Sequence, residues 1–149
     1  MTSPARAGSQ PATTGLTFLT ERECIDALCA ARIGRVATTV GPERRPLLRP
    51  IAYLFDTRTR SVVFHSLAGT KLHALLDRRD ASFEIDGESD GGLWSVIVRG
   101  RVETEDRPRE IARLDRELSP ALAIPGDGPW LRIRGEVITG VRFAAAAGH

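Results

Sequence analysis

Leu93–Glu105 reads LWSVIVRGRVETE, and its pattern decides the fold class. Trp94, Val96, Val98, Gly100 and Val102 fall on one face of an extended chain, and Ser95, Ile97, Arg99, Arg101 and Glu103 on the other. Only a strand alternates with a period of two, so the first face is expected in a core and the second against something polar.

Working outward, Asp106 to Leu118 carries Ile111, Leu114 and Leu118 at helical spacing, with Asp106 as N-cap and Pro108 in the first turn. Pro125 to Pro129 reads as a loop. Trp130 to Arg134 and Glu136 to Phe143 read as closing strands, with Trp130, Ile133, Val137, Ile138 and Val141 expected to be buried. On the other side, Ala81 to Asp86 is a short strand. Ile33 to Val40 and Pro46 to Leu54 form a hairpin about the turn at Gly41–Arg45. Pro50 removes a ladder hydrogen bond, which places its strand at an edge, a bulge or a ligand. Thr20 and Glu23 match a capping box, followed by Ile25, Leu28 and Ala31 on one face of a helix ending near Ala31.

Ser61–Leu76, SVVFHSLAGTKLHALL, joins a strand through a small-residue turn to a helix start. The first N–H groups of a helix lack intrahelical partners and carry partial positive charge, so such a turn favours an anion. Gly69 permits close approach, Ser66 and Thr70 offer hydroxyls, and Lys71 adds a point charge. Lys71 is the only lysine among 21 lysines and arginines, in a chain otherwise biased toward arginine. It is the first candidate ligand for a phosphate.

A chain of 149 residues, 42% hydrophobic and 27% charged, suits one globular domain with one core. Residues 1–15 are expected to form a disordered tail, 16–143 the domain, and 144–149 a second disordered tail. The net charge of +2 is too small to argue for nucleic acid. There is no apolar run long enough for a membrane span and no signal-peptide block, so the cytoplasm is the expected location. Cys24 and Cys29 lie five apart on different faces of the first helix. His65, His73 and His149 have no metal spacing, so no metal site is expected. The absence of a Gly-x-Ser-x-Gly elbow or a Walker loop sets hydrolase and NTPase chemistry aside. The elements amount to at least six strands joined by tight turns, with helices at the margins. The fold class is mainly β, a small antiparallel barrel with peripheral helices.

Four segments in order carry a resemblance: Pro46–Tyr53 (PLLRPIAY), Val63–Ser66 (VFHS), Gly69–Lys71 (GTK) and Trp94–Glu103 (WSVIVRGRVE). Together they are similar to the pyridoxamine 5′-phosphate oxidase-like family of FMN-binding split β-barrels, over Leu16 to Phe143. The resemblance implies a six-stranded split barrel, a homodimer, and FMN in a groove between subunits, with a small-molecule substrate. Carried over, it places Arg49 toward the phosphate and the backbone of Pro50, Ile51 and Ala52 against the flavin ring. The family's aromatic-Thr pair falls on His65 and Ser66. Its Ser-x-Lys phosphate grip falls on Gly69, Thr70 and Lys71, one residue shorter and without the serine. The partner's strand would close the groove with Trp94, Ser95 and Arg99, Ser95 standing where the family has glutamine. His65 in place of tyrosine resembles the nitroimidazole-reductase-like branch more than the true oxidase, whose pyridoxal-phosphate contacts have no C-terminal counterparts here. No general acid or base is evident, which suits flavin-dependent hydride transfer. The same barrel is compatible with a deazaflavin coenzyme, whose longer anionic tail Arg44 and Arg45 would meet. It is also compatible with a non-catalytic module that holds flavin or haem.

Overall fold

The structure, a computed structural model, describes residues 15–66, 72–89, 91–124 and 126–144. Both expected tails lie almost wholly outside these residues, as does the turn holding Gly69, Thr70 and Lys71. The strands are β1 (Leu16–Phe18), β2 (Ile33–Val40), β3 (Arg45–Ala52), β4 (Leu54–Asp56), β5 (Ser61–His65), β6 (Asp80–Ser89), β7 (Gly92–Thr104), β8 (Trp130–Arg134) and β9 (Val137–Ala144). Helix α1 is Glu21–Ala30, α2 is Leu72–Leu76, and α3 is Pro108–Arg113, continued by a π-helical turn at Leu114–Leu118 and a 3-10 turn at Ser119–Ala121.

All nine strands belong to one antiparallel sheet whose main path runs β3-β2-β6-β7-β8-β5-β4, with β9 beside β7 and β1 beside β9. If the sheet were flat, the two ends of that path would lie about 29 Å apart at ordinary strand spacing. Yet β3 and β4 are joined through the single residue Tyr53, so the sheet curls until its edges meet. Tyr53 fixes the joint: it is fully buried, its hydroxyl donates to Leu28 O (2.6 Å), and its ring meets Phe83 edge-on with centroids 4.6 Å apart. The expected strand Pro46–Leu54 is therefore broken at its end, one part in each half of the barrel. The six strands expected become nine, partly because β1 and β4, at three residues each, are too short to alternate.

Strand β7 spans both halves, pairing β9 from Gly92 to Arg99 and β8 from Val102 to Thr104. Gly100 stands at the change of partner, where an added Cβ would lie 1.9 Å from Arg134 O. Alternation along β7 matches the pattern of LWSVIVRGRVETE: Val96, Val98 and Val102 are fully buried, and Leu93, Ile97, Arg99 and Arg101 are exposed. With Val36, Phe64, Phe83, Ile85, Leu131 and Ile133 they make the core. Val137, expected inside, is 40% exposed on the outer face. Strand β3 pairs only with β2, so Pro46 and Pro50 do sit on an edge.

Thr20 and Glu23 form both bonds of the capping box on α1 (Glu23 N to Thr20 Oγ1, 3.1 Å; Thr20 N to Glu23 Oε1, 2.8 Å). Helix α3 starts one residue later than expected: Arg107, not Asp106, is the N-cap, without a side-chain bond, and Pro108 opens the helix. Its far side, with Leu114 and Leu122, packs on Val63 and Trp130, so β5 and β8 are covered on both faces.

Beneath α3 lies a buried ionic cluster. Arg132, 2% exposed, donates to Asp56 Oδ2 (3.2 Å), Ser61 Oγ (2.6 Å), Thr59 Oγ1, Glu110 Oε1 (2.9 Å) and Glu105 Oε1 (3.3 Å). Arg113 donates to Asp56 Oδ2 (2.5 Å) and Glu110 Oε1 (2.5 Å). Burial would raise the Asp56 pKa, but the bonds from Arg113, Thr59 and Arg132 outweigh it and hold the carboxyl down at about 2. Bonds from Arg107 likewise outweigh burial and hold Glu105 down at about 2.

Candidate functional site

The end of edge strand β3 brings Arg49, Pro50, Ile51 and Ala52 to one wall of a pocket of about 130 Å³. His65, the last residue of β5, and Leu72, the first of α2, also line it, as does Ile124 from the loop before β8. Five residues expected from the sequence to meet a cofactor are thus gathered from two distant strands. The side chains are mostly apolar, which suits a flat aromatic ring. The polar groups are the Arg49 guanidinium, the His65 imidazole and the alternate backbone groups that an edge strand leaves unpaired. Arg49 is exposed, donates only to Leu48 O (3.0 Å), and forms no ion pair among the described residues.

Ser66, next in the chain to His65, does not line this pocket and has a structural task. It is 1% exposed, its hydroxyl accepts from His73 N (3.1 Å) at the start of α2, and its N–H donates to Pro129 O (2.9 Å). It anchors the helix that begins one residue after Lys71. Gly69, Thr70 and Lys71 lie outside the described residues.

Trp94, Ser95 and Arg99 are not brought to the pocket by their own chain. Trp94 and Ser95 line a groove with Glu84, Asp86 and Phe143, Trp94 from the side that packs against the core, and Arg99 sits in a separate recess with Thr38 and Glu136. Trp94 also covers Gly87, where an added Cβ would lie 2.6 Å from the indole.

Sequence reasoning missed the segment from Ile124 to Trp130, read only as a loop ahead of a strand. Its Gly128 O accepts from His65 Nδ1 (2.8 Å), and Trp130 stacks on the imidazole with ring centroids 3.7 Å apart. Trp130 Nε1 in turn donates to Asp115 Oδ1 (2.8 Å) in the π-helical turn. The signal available was the pair Gly126 and Gly128. A Cβ on Gly126 would lie 2.4 Å from His65 Cβ, and one on Gly128 would lie 2.0 Å from Ser66 O.

The family model described as pyridoxamine 5′-phosphate oxidase matches residues 20–148, nearly the whole of this barrel. The chain belongs to that family. Among solved structures it is similar to the FAD binding protein from Mycobacterium smegmatis, with TM-score 0.72 and 32% identity over 85% of this chain and 98% of the other. A candidate pyridoxamine 5′-phosphate oxidase from Corynebacterium glutamicum superposes with TM-score 0.70 at 26% identity, covering 90% of this chain and 98% of the other. A candidate 5-nitroimidazole antibiotic resistance protein from Bacteroides thetaiotaomicron shares the fold, with TM-score 0.65 at 14% identity over 87% of this chain and 90% of the other. No curated protein matches the chain. The oxidase-family barrel thus extends over β2 to β9, and the pocket at the end of β3 lies within it.

Proposed function

We propose that this chain is a flavin-dependent oxidoreductase that binds FMN in a groove at a dimer interface and acts on a small-molecule substrate. The observation that carries the reading is the convergence of Arg49, Pro50, Ile51, Ala52 and His65 on one pocket at a free sheet edge. The 32% identity to an FAD binding protein over most of the chain supports a flavin as the ligand class.

At about 130 Å³ the pocket is smaller than the roughly 300–1,000 Å³ typical of cofactor sites, so one chain supplies only part of the groove. The remainder is assigned to a second copy. The outer sheet face carries a contiguous apolar row in which Leu16 and Leu93 both pair with Phe143 in register, with Phe18 at 75% exposure beside it. Such a row is a fit surface for a symmetric partner, and Ser95 lies on the same face.

When bound, flavin supplies the hydride and electron chemistry. Arg49 and Lys71 hold the phosphate, the β3 edge positions the ring through backbone groups, and Ile51, Leu72 and Ile124 exclude water. Titrating apo-protein with FMN and with FAD, while following flavin fluorescence, tests the reading. Saturable binding of either flavin supports it, and the tighter of the two identifies the physiological form. If neither flavin binds, the reading fails. Lys71→Ala is expected to weaken flavin retention by on the order of 1.5–3 kcal/mol, the size of one charge-assisted contact, with the fold intact. Unchanged affinity would remove Lys71 from the site.

A further inference from the structure

His65 is held by Gly128, Trp130 and Gly126, groups outside the flavin-binding pattern. A carbonyl oxygen can only accept, so the 2.8 Å contact between Gly128 O and His65 Nδ1 requires the proton to reside on Nδ1. In the neutral ring Nε2 is then a bare acceptor. No described residue engages Nε2.

The ring cannot readily exchange its two nitrogens. Trp130 covers one face at 3.7 Å, and the indole is itself tied to Asp115 Oδ1 (2.8 Å). Gly126 presses so close to His65 that even a methyl group there would lie 2.4 Å from its Cβ. A flip would break the Gly128 bond and unstack the pair in a space that the loop has already filled. His65 also lines the pocket together with Arg49, Pro50, Ile51 and Ala52.

We infer that His65 is a specificity-determining residue: its Nε2 is a preset hydrogen-bond acceptor that selects a ligand presenting an N–H or O–H donor in that pocket. This rests on the flavin reading and adds to it a polarity at a particular position. A histidine free to change tautomer would accept donors and acceptors alike. One fixed by a carbonyl and a stacked indole discriminates between them, because a buried acceptor facing another acceptor is left unpaired.

The test uses the full chain with histidine side chains labelled with nitrogen-15, at about pH 8. In the free protein, long-range nitrogen–proton spectra are expected to show a protonated Nδ1 and a bare Nε2 for His65. On addition of FMN, Nε2 is expected to move toward the hydrogen-bonded range while Nδ1 stays. His65→Phe keeps a ring on Trp130 but has no acceptor, and is expected to bind FMN about tenfold more weakly, the size of one hydrogen bond. A protonated Nε2 in the free protein overturns the inference, as does an Nε2 indifferent to bound FMN or an unchanged FMN affinity in His65→Phe. If FMN binds but Nε2 does not respond, only the acceptor assignment falls. If FMN does not bind the unsubstituted protein, both readings fall.

Discussion

Asp56 illustrates how burial changes a residue's meaning. In the sequence it opens a polar run, Asp56-Thr57-Arg58-Thr59-Arg60, that reads as a solvated turn. In the structure it is 4% exposed and anchors two buried arginines. Asp56→Asn would leave Arg113 and Arg132 short of a counter-charge, and a loss of about 3–5 kcal/mol is expected, measurable by urea denaturation. Asp56 and Glu105 both sit near 2, below ordinary values of 3.8 and 4.5. Their contribution is complete above about pH 4.5 and is lost as pH falls toward about 2, because the unfolded chain binds protons first. Asp56 alone accounts for about 2 kcal/mol of that acid limb. A stability profile flat from neutral pH down to about 2 would contradict the cluster. Sequence could not show it, because polar side chains in a turn carry no period that marks them as buried. Lys71 was easier to select, as the lone lysine beside a glycine turn, whereas Arg49 was selected only through the family resemblance.

At the scale of elements, the long strands were readable and the short ones were not. Strand β7 alternates over 13 residues, enough for the period to emerge, whereas β4 has three and is separated from β3 by one buried tyrosine. The capping box of α1 was readable because its two bonds are local. The side of the pocket made by Ile124 was not, because it comes from a loop whose partners lie some sixty residues earlier in the chain, as in the Gly128 contact with His65. Glycine at a strand crossing is the element-scale constraint most open to test. Gly100→Ala would set a methyl 1.9 Å from the Arg134 carbonyl, a backbone atom that cannot swing aside. It is expected to destabilise the fold by about 1–3 kcal/mol or more, seen as a lowered thermal midpoint. An unaltered midpoint would show that β7 and β8 can separate there without cost.

For the molecule as a whole, the sheet has one face that buries the core and another that leaves Phe18, Leu93, Ile97 and Phe143 in the open. A single chain gives no reason for such a face, and two residues of the sequence-derived site, Ser95 and Arg99, lie on it. The two-subunit reading joins these facts. Ile97→Lys changes a residue 38% exposed on that face, so on a lone chain its effect should fall within about 0.5 kcal/mol. If the face is an interface, the variant is expected to run as a monomer in light scattering and to lose flavin affinity together with assembly. A variant that remains dimeric with full flavin binding would place the contact elsewhere.

The pairing of Leu16–Phe18 with Val141–Phe143 links the two ends of the folded region, and Leu19 N donates to Gly140 O (2.9 Å) just beyond it. Proteins emerge from the ribosome N-terminal end first, at about 5–20 residues per second. The opening strand must therefore wait, its backbone unsatisfied, until almost all of the barrel has been translated. Ribosome-stalled chains ending before β9 should leave the Leu16–Leu19 amides open to rapid hydrogen exchange, and release of the last strand should protect them in one step.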